Sequence, residues 1–145
     1  MLIRKAYRFK LRVNSPDTAA KLHQFSGCTR FVWNKMLAMN LYRLEHKQAL
    51  LWYPEMAFWL TLWKSSDEYA FLRDCHSQVL QQSMMQLDRA FKDAFDKEQP
   101  NKLMPRFKRR GGKDTLSVTR KASRLPVSVC IYPRSGLCVS ERAGK

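Results

Sequence analysis

Three short stretches of the sequence place basic side chains beside aromatic rings, a combination that could bind phosphates and bases. They are Arg4–Lys10, Arg30–Asn34 and Arg106–Lys108. A cation can neutralise a phosphate, and an exposed ring can stack on an unpaired base. Trp33 has a simpler interpretation as a core residue. Taken together, the three stretches favour nucleic acid as the ligand, ahead of a membrane surface or an anionic protein.

The carboxylates do not form a metal-binding pattern. A metal-dependent nuclease needs two or three carboxylates that converge on one site. Asp88 and Asp93 lie five residues apart and do not share a helix face, while Asp93 and Asp96 have Lys92 and Lys97 beside them. The three histidines lack a partner at a diagnostic spacing, and the four cysteines form no CxxC pair and are interpreted as reduced thiols. The sequence predicts no catalytic residue and no metal site.

The charge of the chain is strongly positive and unevenly distributed. Lys and Arg number 27 against 12 Asp and Glu, which gives a formal net charge of +15. Residues 1–14 contain basic but no acidic groups, residues 52–99 are net acidic, and residues 100–145 are again strongly basic. Such an excess suits a polyanionic partner. No apolar run approaches the ~20 residues that span a bilayer. We expect a cytoplasmic, nucleoid-associated protein with no membrane partner and no small-molecule substrate.

Apolar periodicity predicts the elements that position these groups. Apolar and basic residues alternate over residues 3–13, which is typical of a strand with one buried and one cationic face. Ser15 and Pro16 then predict the start of a long helix. Gly27 permits a helix-turn-helix break, and a continuous or mildly bent helix is the equal alternative. Pro54 opens a second helix, and a third runs from a Ser77 cap and stops at Pro100. On the third helix, the predicted apolar face carries Leu80, Met84, Leu87, Phe91 and Phe95, and the other face carries Gln81, Gln82, Asp88, Arg89 and Lys92.

Four stretches in this order resemble one family. They read KAYRFKLRV at 5–13, GCTRFVWNKMLA at 27–38, SQVLQQSMMQLDRAFKDAF at 77–95 and PRFKRR at 105–110. Over about residues 3–114 the chain resembles the N-terminal part of the TnpB (OrfB) proteins of insertion sequences, which are relatives of the type V CRISPR effectors. The resemblance implies a strand, a helical recognition insert often described as helix-turn-helix, and a basic β-region. In the family a RuvC-like nuclease follows, with an Asp-Glu-Asp metal triad and a zinc ribbon.

The resemblance also implies which residues contact nucleic acid. These are expected to be Lys5, Arg8, Lys10, Arg30, Asn34, Gln78, Gln81, Gln82, Arg89, Arg106, Lys108 and Arg109. Gln81 and Arg89 have an alternative role in bracing the third helix. The metal triad and zinc ribbon are absent from this sequence, so no cofactor is expected in it, although the family nuclease would use a divalent metal and zinc.

The last part of the chain, residues 115–145, shows no recognisable period and departs from the family pattern. Allowed codons for these residues, read one base out of phase, give the family-like runs SFRYPQGFK and VYLPKIGFVRFRKSRE. We therefore expect a frameshift near Asp114, with the DNA continuing in the shifted frame into the nuclease and zinc ribbon. We further expect residues 115–145 to be disordered, because an out-of-frame sequence was not selected to fold.

These observations predict an α+β chain that is mainly α. Its parts are a basic strand at 1–14, a helical recognition domain at 15–100, a basic strand or loop at 101–114 that returns to the first strand, and the tail at 115–145. The expected function is binding of DNA, RNA or both by the N-terminal fragment of a transposase, without catalysis of its own. The alternatives are a nuclease active only when complemented in trans, and a basic protein-interaction module. The oligomeric state stays open.

Overall fold

The computed structural model describes the backbone of residues 5–10, 15–111, 114–119, 126–132 and 136–143, and the side chains of residues 15–111 and Leu116. The described chain is mainly helical, and the three predicted helices are confirmed. The elements in chain order are β1 (Lys5–Lys10), α1 (Pro16–Glu45), α2 (Tyr53–Ser65), a short 3-10 helix (Ala70–Asp74), α3 (Ser77–Phe95), β2 (Asp114–Thr119), β3 (Pro126–Tyr132) and β4 (Gly136–Ala143).

The strands form one antiparallel sheet in the order β1-β4-β3-β2. The register pairs Arg8 with Ser140, Val129 with Val139, and Leu116 with Val129. The edge strand β2 lies against α3 and α1. Leu116 on β2 is 3% exposed and belongs to the same hydrophobic core as the helices. Strand β2 therefore contributes Leu116 to the helical core.

Helix α1 is continuous over 30 residues and passes through Gly27 without a break. A side-chain Cβ at Gly27 would meet only the guanidinium of Arg30, at 3.9 Å, so close packing does not require glycine there. Ser26, Cys28 and Thr29 around it are all buried. The continuous alternative is therefore the correct one, because burial on both sides of Gly27 outweighs its low helix propensity of about 1 kcal/mol relative to Ala.

Helix α1 ends in a left-handed turn at Lys47. The backbone N–H of Gln48 donates to the carbonyl of Arg43, and the N–H of Lys47 donates to that of Leu44. This pair of bonds is a Schellman motif, which usually places glycine at the position that Lys47 occupies. Lys47 has φ 53°, a conformation that costs an L-residue roughly 1–2 kcal/mol.

The core lies between the three helices. Leu80, Met84, Leu87 and Phe91 are fully buried on one side of α3, as their spacing predicted, whereas Phe95 at the end of the helix is 48% exposed. Ser83 on the same side donates its hydroxyl to the carbonyl of Thr29 at 3.3 Å and so joins α3 to α1. The buried apolar partners from the rest of the chain are Cys28, Val32, Trp33, Met36, Leu37, Leu51, Met56, Leu60, Trp63, Leu72, Cys75, Val79 and Leu116.

Asn40 fixes the connection between α1 and α2. Its side chain is fully buried, and it donates to the carbonyl of Leu51 at 3.0 Å while accepting from the N–H of Leu51 at 2.8 Å. At the start of α2, Asp88 of α3 accepts from the backbone N–H of Tyr53 at 3.0 Å. A carboxylate is stabilising there because the N-terminus of a helix carries partial positive charge. The two polar side chains thus set where α2 begins.

Two expectations for α3 are wrong in detail. The cap is His76, whose Nδ1 accepts from the N–H of Gln78 at 3.2 Å, so Ser77 is the first residue of the helix and not its cap. The helix ends at Phe95, before Pro100, because Asp96 turns the chain by accepting from the N–H of Glu98 at 2.9 Å.

The predicted basic strand within 101–114 is also wrong over the described residues 101–111, which contain no strand. Their backbone groups bond to side chains of α1 instead of to a neighbouring strand, as described below. The segment ends in a turn at Gly111, whose φ of 84° is a left-handed conformation that glycine adopts at little cost.

The expected disorder of residues 115–145 is wrong for the described residues 115–119, 126–132 and 136–143, which lie in β2, β3 and β4, and the rest of that range lies outside the described residues. Val127, Val129 and Ile131 alternate with smaller residues along β3, a strand pattern that the tail was not expected to contain. Strand β1 (Lys5–Lys10) lies within the strand predicted at residues 1–14, whose other residues and whose cationic face lie outside the described part of the chain. The frameshift stays a prediction, which the DNA sequence downstream of the Asp114 codon tests.

Replacement of Asn40 by Ala is expected to lower the free energy of unfolding by about 2–4 kcal/mol, because the buried N–H and carbonyl of Leu51 would both lose their partner. Urea titration followed by circular dichroism measures the change. The matched control is Asn101→Ala at an exposed position, which should change stability by less than about 0.5 kcal/mol. Equal losses in the two variants would contradict the role of Asn40.

Candidate nucleic-acid interface

Residues 102–110, here called the basic segment, carry five basic side chains and no acidic one. Arg106, Arg109 and Arg110 are exposed, and Phe107 between them is 53% exposed. The segment has no helix or strand of its own. Its position must therefore come from contacts with the rest of the fold.

Asn34 of α1 holds the middle of the basic segment. Its side-chain amide donates to the carbonyl of Lys108 at 2.9 Å and accepts from the N–H of Lys108 at 2.8 Å. One helix position earlier, the indole Nε1–H of Trp33 donates to the carbonyl of Arg106 at 2.9 Å. Three hydrogen bonds thus hold the backbone on both sides of Phe107.

The side chain of Lys108 returns to the same helix. Its Nζ lies 4.0 Å from the centre of the Trp33 ring, a cation–π distance. Trp33 is only 9% exposed, so its interpretation as a core residue is confirmed. The Lys108 cation therefore helps to anchor the segment, while the guanidinium groups of Arg106 and Arg109 extend into solvent.

Arg30 lies one helical turn before Asn34 and is half-buried. Residues four apart share a helix face, but the Arg30 guanidinium extends towards Gly27, where its Nη2 lies 3.9 Å from the position of a Cβ. The structure brings Asn34 together with Lys108, and so with the neighbouring Arg106 and Arg109, although 74 residues separate Asn34 from Lys108 in sequence.

Helix α3 turns a second set of predicted residues outward. Gln81 and Arg89 are exposed, and Gln78 and Gln82 are half-buried. Met85 lies midway between Gln81 and Arg89 and is 41% exposed. These residues lie opposite the core side of α3 and form an outward polar face.

Asp88 does not belong to that polar face, although the sequence suggested it. It is 8% exposed, accepts from Tyr53 as described above, and pairs with Lys92 Nζ at 2.7 Å. Lys92 also lies 5.4 Å from the ring centre of Trp52. Asp88 and Lys92 are therefore part of the packing between α2 and α3.

Lys5, Arg8 and Lys10 lie on β1, an outer strand of the sheet whose one neighbour is β4. Their side chains lie outside the described ones, so their predicted contacts stay a prediction.

Sequence reasoning missed two parts of the interface. Lys102 and Arg110 are exposed cations of the same segment, and the sequence signal for them was the uninterrupted basic run around Phe107. Trp33 was assigned only to the core, but its N–H also bonds to the segment. An indole that is buried except for its N–H usually has such a partner.

The buried thiols form a separate feature. Cys28 of α1 and Cys75 before α3 are both free and 3% exposed. A hydrogen bond from the Cys75 thiol lowers the pKa of Cys28, and the same bond together with burial raises the pKa of Cys75. Burial keeps both thiols from acting as surface nucleophiles.

Among the residues that the structure describes, no group of three His, Cys, Asp or Glu side chains could hold a metal ion. No helix in this part of the chain is long and apolar enough to cross a membrane.

Comparison with known proteins identifies related sequences. Residues 1–48 match a family described as a helix-turn-helix domain of OrfB proteins. A protein of Escherichia coli K12 named "Putative RNA-guided DNA endonuclease InsQ" is 38% identical over 112 residues, which are 77% of this chain and 27% of that protein. A Streptomyces pristinaespiralis protein named "Putative RNA-guided DNA endonuclease" is 31% identical over 121 residues, 83% of this chain and 29% of that protein. The chain thus spans less than a third of the length of these relatives.

The chain therefore falls in the class of helix-turn-helix domain proteins from insertion sequences. Within that class it belongs to the TnpB (OrfB) family, of which it carries the N-terminal region. The family match covers β1 and α1, and in this chain α1 is one continuous helix.

Replacement of Asn34 by Ala is expected to release the basic segment without unfolding the core. The amide hydrogen of Lys108 should exchange about tenfold faster, because the acceptor of its hydrogen bond is gone. Amide exchange measured by NMR reports this site directly. The N–H of Leu51, held by Asn40, provides the internal control and should keep its rate. An unchanged rate at Lys108 would show that Asn34 does not hold the segment.

Proposed function

We propose that this chain binds DNA, RNA or both as the N-terminal part of a TnpB-type transposase. The observation that carries the proposal is the basic segment, an exposed run of cations fixed to α1 by Asn34 and Trp33. The names of the two relatives describe RNA-guided DNA endonucleases, which makes both nucleic acids candidates for this chain as well.

Like charges lie close together in the basic segment. Five cations within nine residues repel one another, and no acidic residue within the segment offsets them. A phosphate backbone removes this repulsion and releases its own condensed counterions when it binds. The exposed arginines suit this role because a guanidinium can bind phosphate oxygens through two parallel hydrogen bonds.

The outward face of α3 is the second part of the proposed surface. Glutamine amides can bond to phosphates or to the edge of adenine, and arginine can bond to phosphates or guanine. Gln81 and Arg89 are the exposed members. We assign contacts to them, with Gln78 and Gln82 beside them, and to Lys5, Arg8 and Lys10 of β1.

The proposal gives this chain a binding role without strand cleavage. The alternative is a nuclease that works only when a second polypeptide supplies the catalytic groups. A third candidate, a basic module that binds anionic protein or lipid, differs in that its binding would not compete with nucleic acid.

Arg109→Ala is expected to weaken binding to a labelled 20-nucleotide single strand several-fold at low salt. The slope of log affinity against log salt should become less negative by about 0.7, since one phosphate contact is lost. Fluorescence anisotropy over a range of potassium chloride concentrations measures both quantities.

The charge-matched control for that experiment is Lys47→Gly. It removes one cation at the end of α1, roughly 20 Å along the helix from Asn34, and glycine suits the left-handed turn there. Its affinity and salt slope should stay those of the unchanged protein. If both variants lose affinity equally, only the net charge matters, and the assigned surface is wrong.

A test for cleavage separates the binding role from the catalytic alternatives. The chain alone, incubated with Mg²⁺ or Mn²⁺ and labelled DNA or RNA, is expected to leave the strands intact on a denaturing gel. Cleavage by the purified chain that EDTA abolishes would overturn the binding-only proposal. Cleavage that starts only when a separately expressed nuclease fragment is added would favour complementation in trans.

A further inference from the structure

The basic segment contains one aromatic ring, that of Phe107, which is exposed to solvent. Phe107 is 53% exposed, although burial of such a ring would contribute roughly 2–3 kcal/mol to stability. The chain has the means to bury it, since the neighbouring Trp33 ring packs into the core. Instead, the ring stays in solvent between two cationic residues, Arg106 and Lys108.

The backbone around Phe107 is fixed on both sides. The carbonyl of Arg106 accepts from Trp33, and both backbone polar groups of Lys108 bond to Asn34. Lys108 also directs its ammonium group to the Trp33 ring, 4.0 Å from the ring centre. The exposure of Phe107 is therefore a consequence of anchoring contacts rather than of a loose loop.

The flanking charges are placed to hold a strand that lies on this ring. Arg106 and Arg109 are three residues apart and hence at most about 10 Å apart along an extended chain. Both are exposed, and neither side chain is needed for the anchor, which uses backbone atoms of Arg106 and the side chain of Lys108. A ring with guanidinium groups on either side is the arrangement by which proteins hold unpaired nucleotides.

We propose that the basic segment is a preorganised platform for single-stranded nucleic acid, in which Phe107 stacks on one unpaired base while Arg106 and Arg109 hold the neighbouring phosphates. The platform rests on the proposed nucleic-acid-binding function and adds that the ligand is single-stranded. In a duplex both faces of every base are covered by neighbouring bases, so a ring from outside finds no face to stack on. Phosphate contacts alone would not distinguish a single strand from a duplex.

The test compares a labelled 20-nucleotide single strand with the matching 20-base-pair duplex, using the full chain. Phe107→Ala is expected to lower affinity for the single strand about tenfold and to change duplex affinity by less than about twofold. The salt slope should not change, because no phosphate contact is lost. Phe107→Trp should restore single-strand binding, since any aromatic ring can stack.

Phe58→Ala is the matched control, because Phe58 is 63% exposed on α2, away from the segment. It should leave both affinities unchanged. Thermal melting of each variant checks that the fold is kept, and the exposure of Phe107 predicts that its loss hardly changes stability.

The outcomes separate the platform from the function on which it rests. Salt-dependent binding of both ligands with no effect of Phe107→Ala, or with equal losses for single strand and duplex, would overturn the platform alone. Absence of binding to either ligand would overturn the proposed function itself. Tighter binding to vesicles of phosphatidylglycerol than to either nucleic acid, weakened by Phe107→Ala, would assign the ring to a membrane surface and overturn both.

Discussion

Two asparagine side chains on α1 each hold a stretch of backbone to the helical core through one donated and one accepted hydrogen bond. Asn40 bonds to both backbone groups of Leu51, and Asn34 does the same for Lys108. A carboxamide has one donor and one acceptor side by side, so it can satisfy a residue's carbonyl and N–H as a neighbouring strand would. The rest of the arrangement depends on this constraint, since Asn40 fixes the path into α2 and Asn34 fixes the basic segment.

The anchor of the basic segment also has an electrostatic function. Concentrated positive charge opposes compaction, so a cationic segment without tertiary contacts would extend away from the core. Asn34 and the Trp33 indole oppose this through hydrogen bonds to backbone, which leaves the arginine side chains unengaged by the anchor. The segment is thus held close to the fold without neutralising most of its charge. This explains how a strongly basic surface can coexist with a conventional apolar core.

Much of the helical fold could be predicted from the sequence, because it depends on local periodicity. The spacing of Leu80, Met84, Leu87 and Phe91 was enough to identify the buried side of α3. Details that depend on a single competing hydrogen bond were not predictable in this way, which is why His76 and not Ser77 caps α3.

The candidate site was predictable in residue type but not in geometry. Asn34 was identified as a polar residue in a basic–aromatic stretch, yet its partner lies 74 residues away, and no local pattern encodes that contact. Its amide is occupied by the chain's own backbone, so its contribution to a ligand is to position the basic segment. The strands after Asp114 were not predicted, because the alternation that marks them is present but short, as over the few residues from Val127 to Ile131.

The rigidity of the anchored segment reduces the conformational entropy that is lost when a ligand binds. A flexible loop with the same side chains would lose conformational entropy when it ordered on a ligand, at about 1–2 kcal/mol for each backbone residue fixed. Here folding has already fixed the residues on either side of Phe107, through contacts that use none of the atoms proposed to meet the ligand. The interaction energy of one ring and two guanidinium groups would therefore appear mostly as affinity. For this reason a small, extended surface without secondary structure of its own can serve as a specific contact.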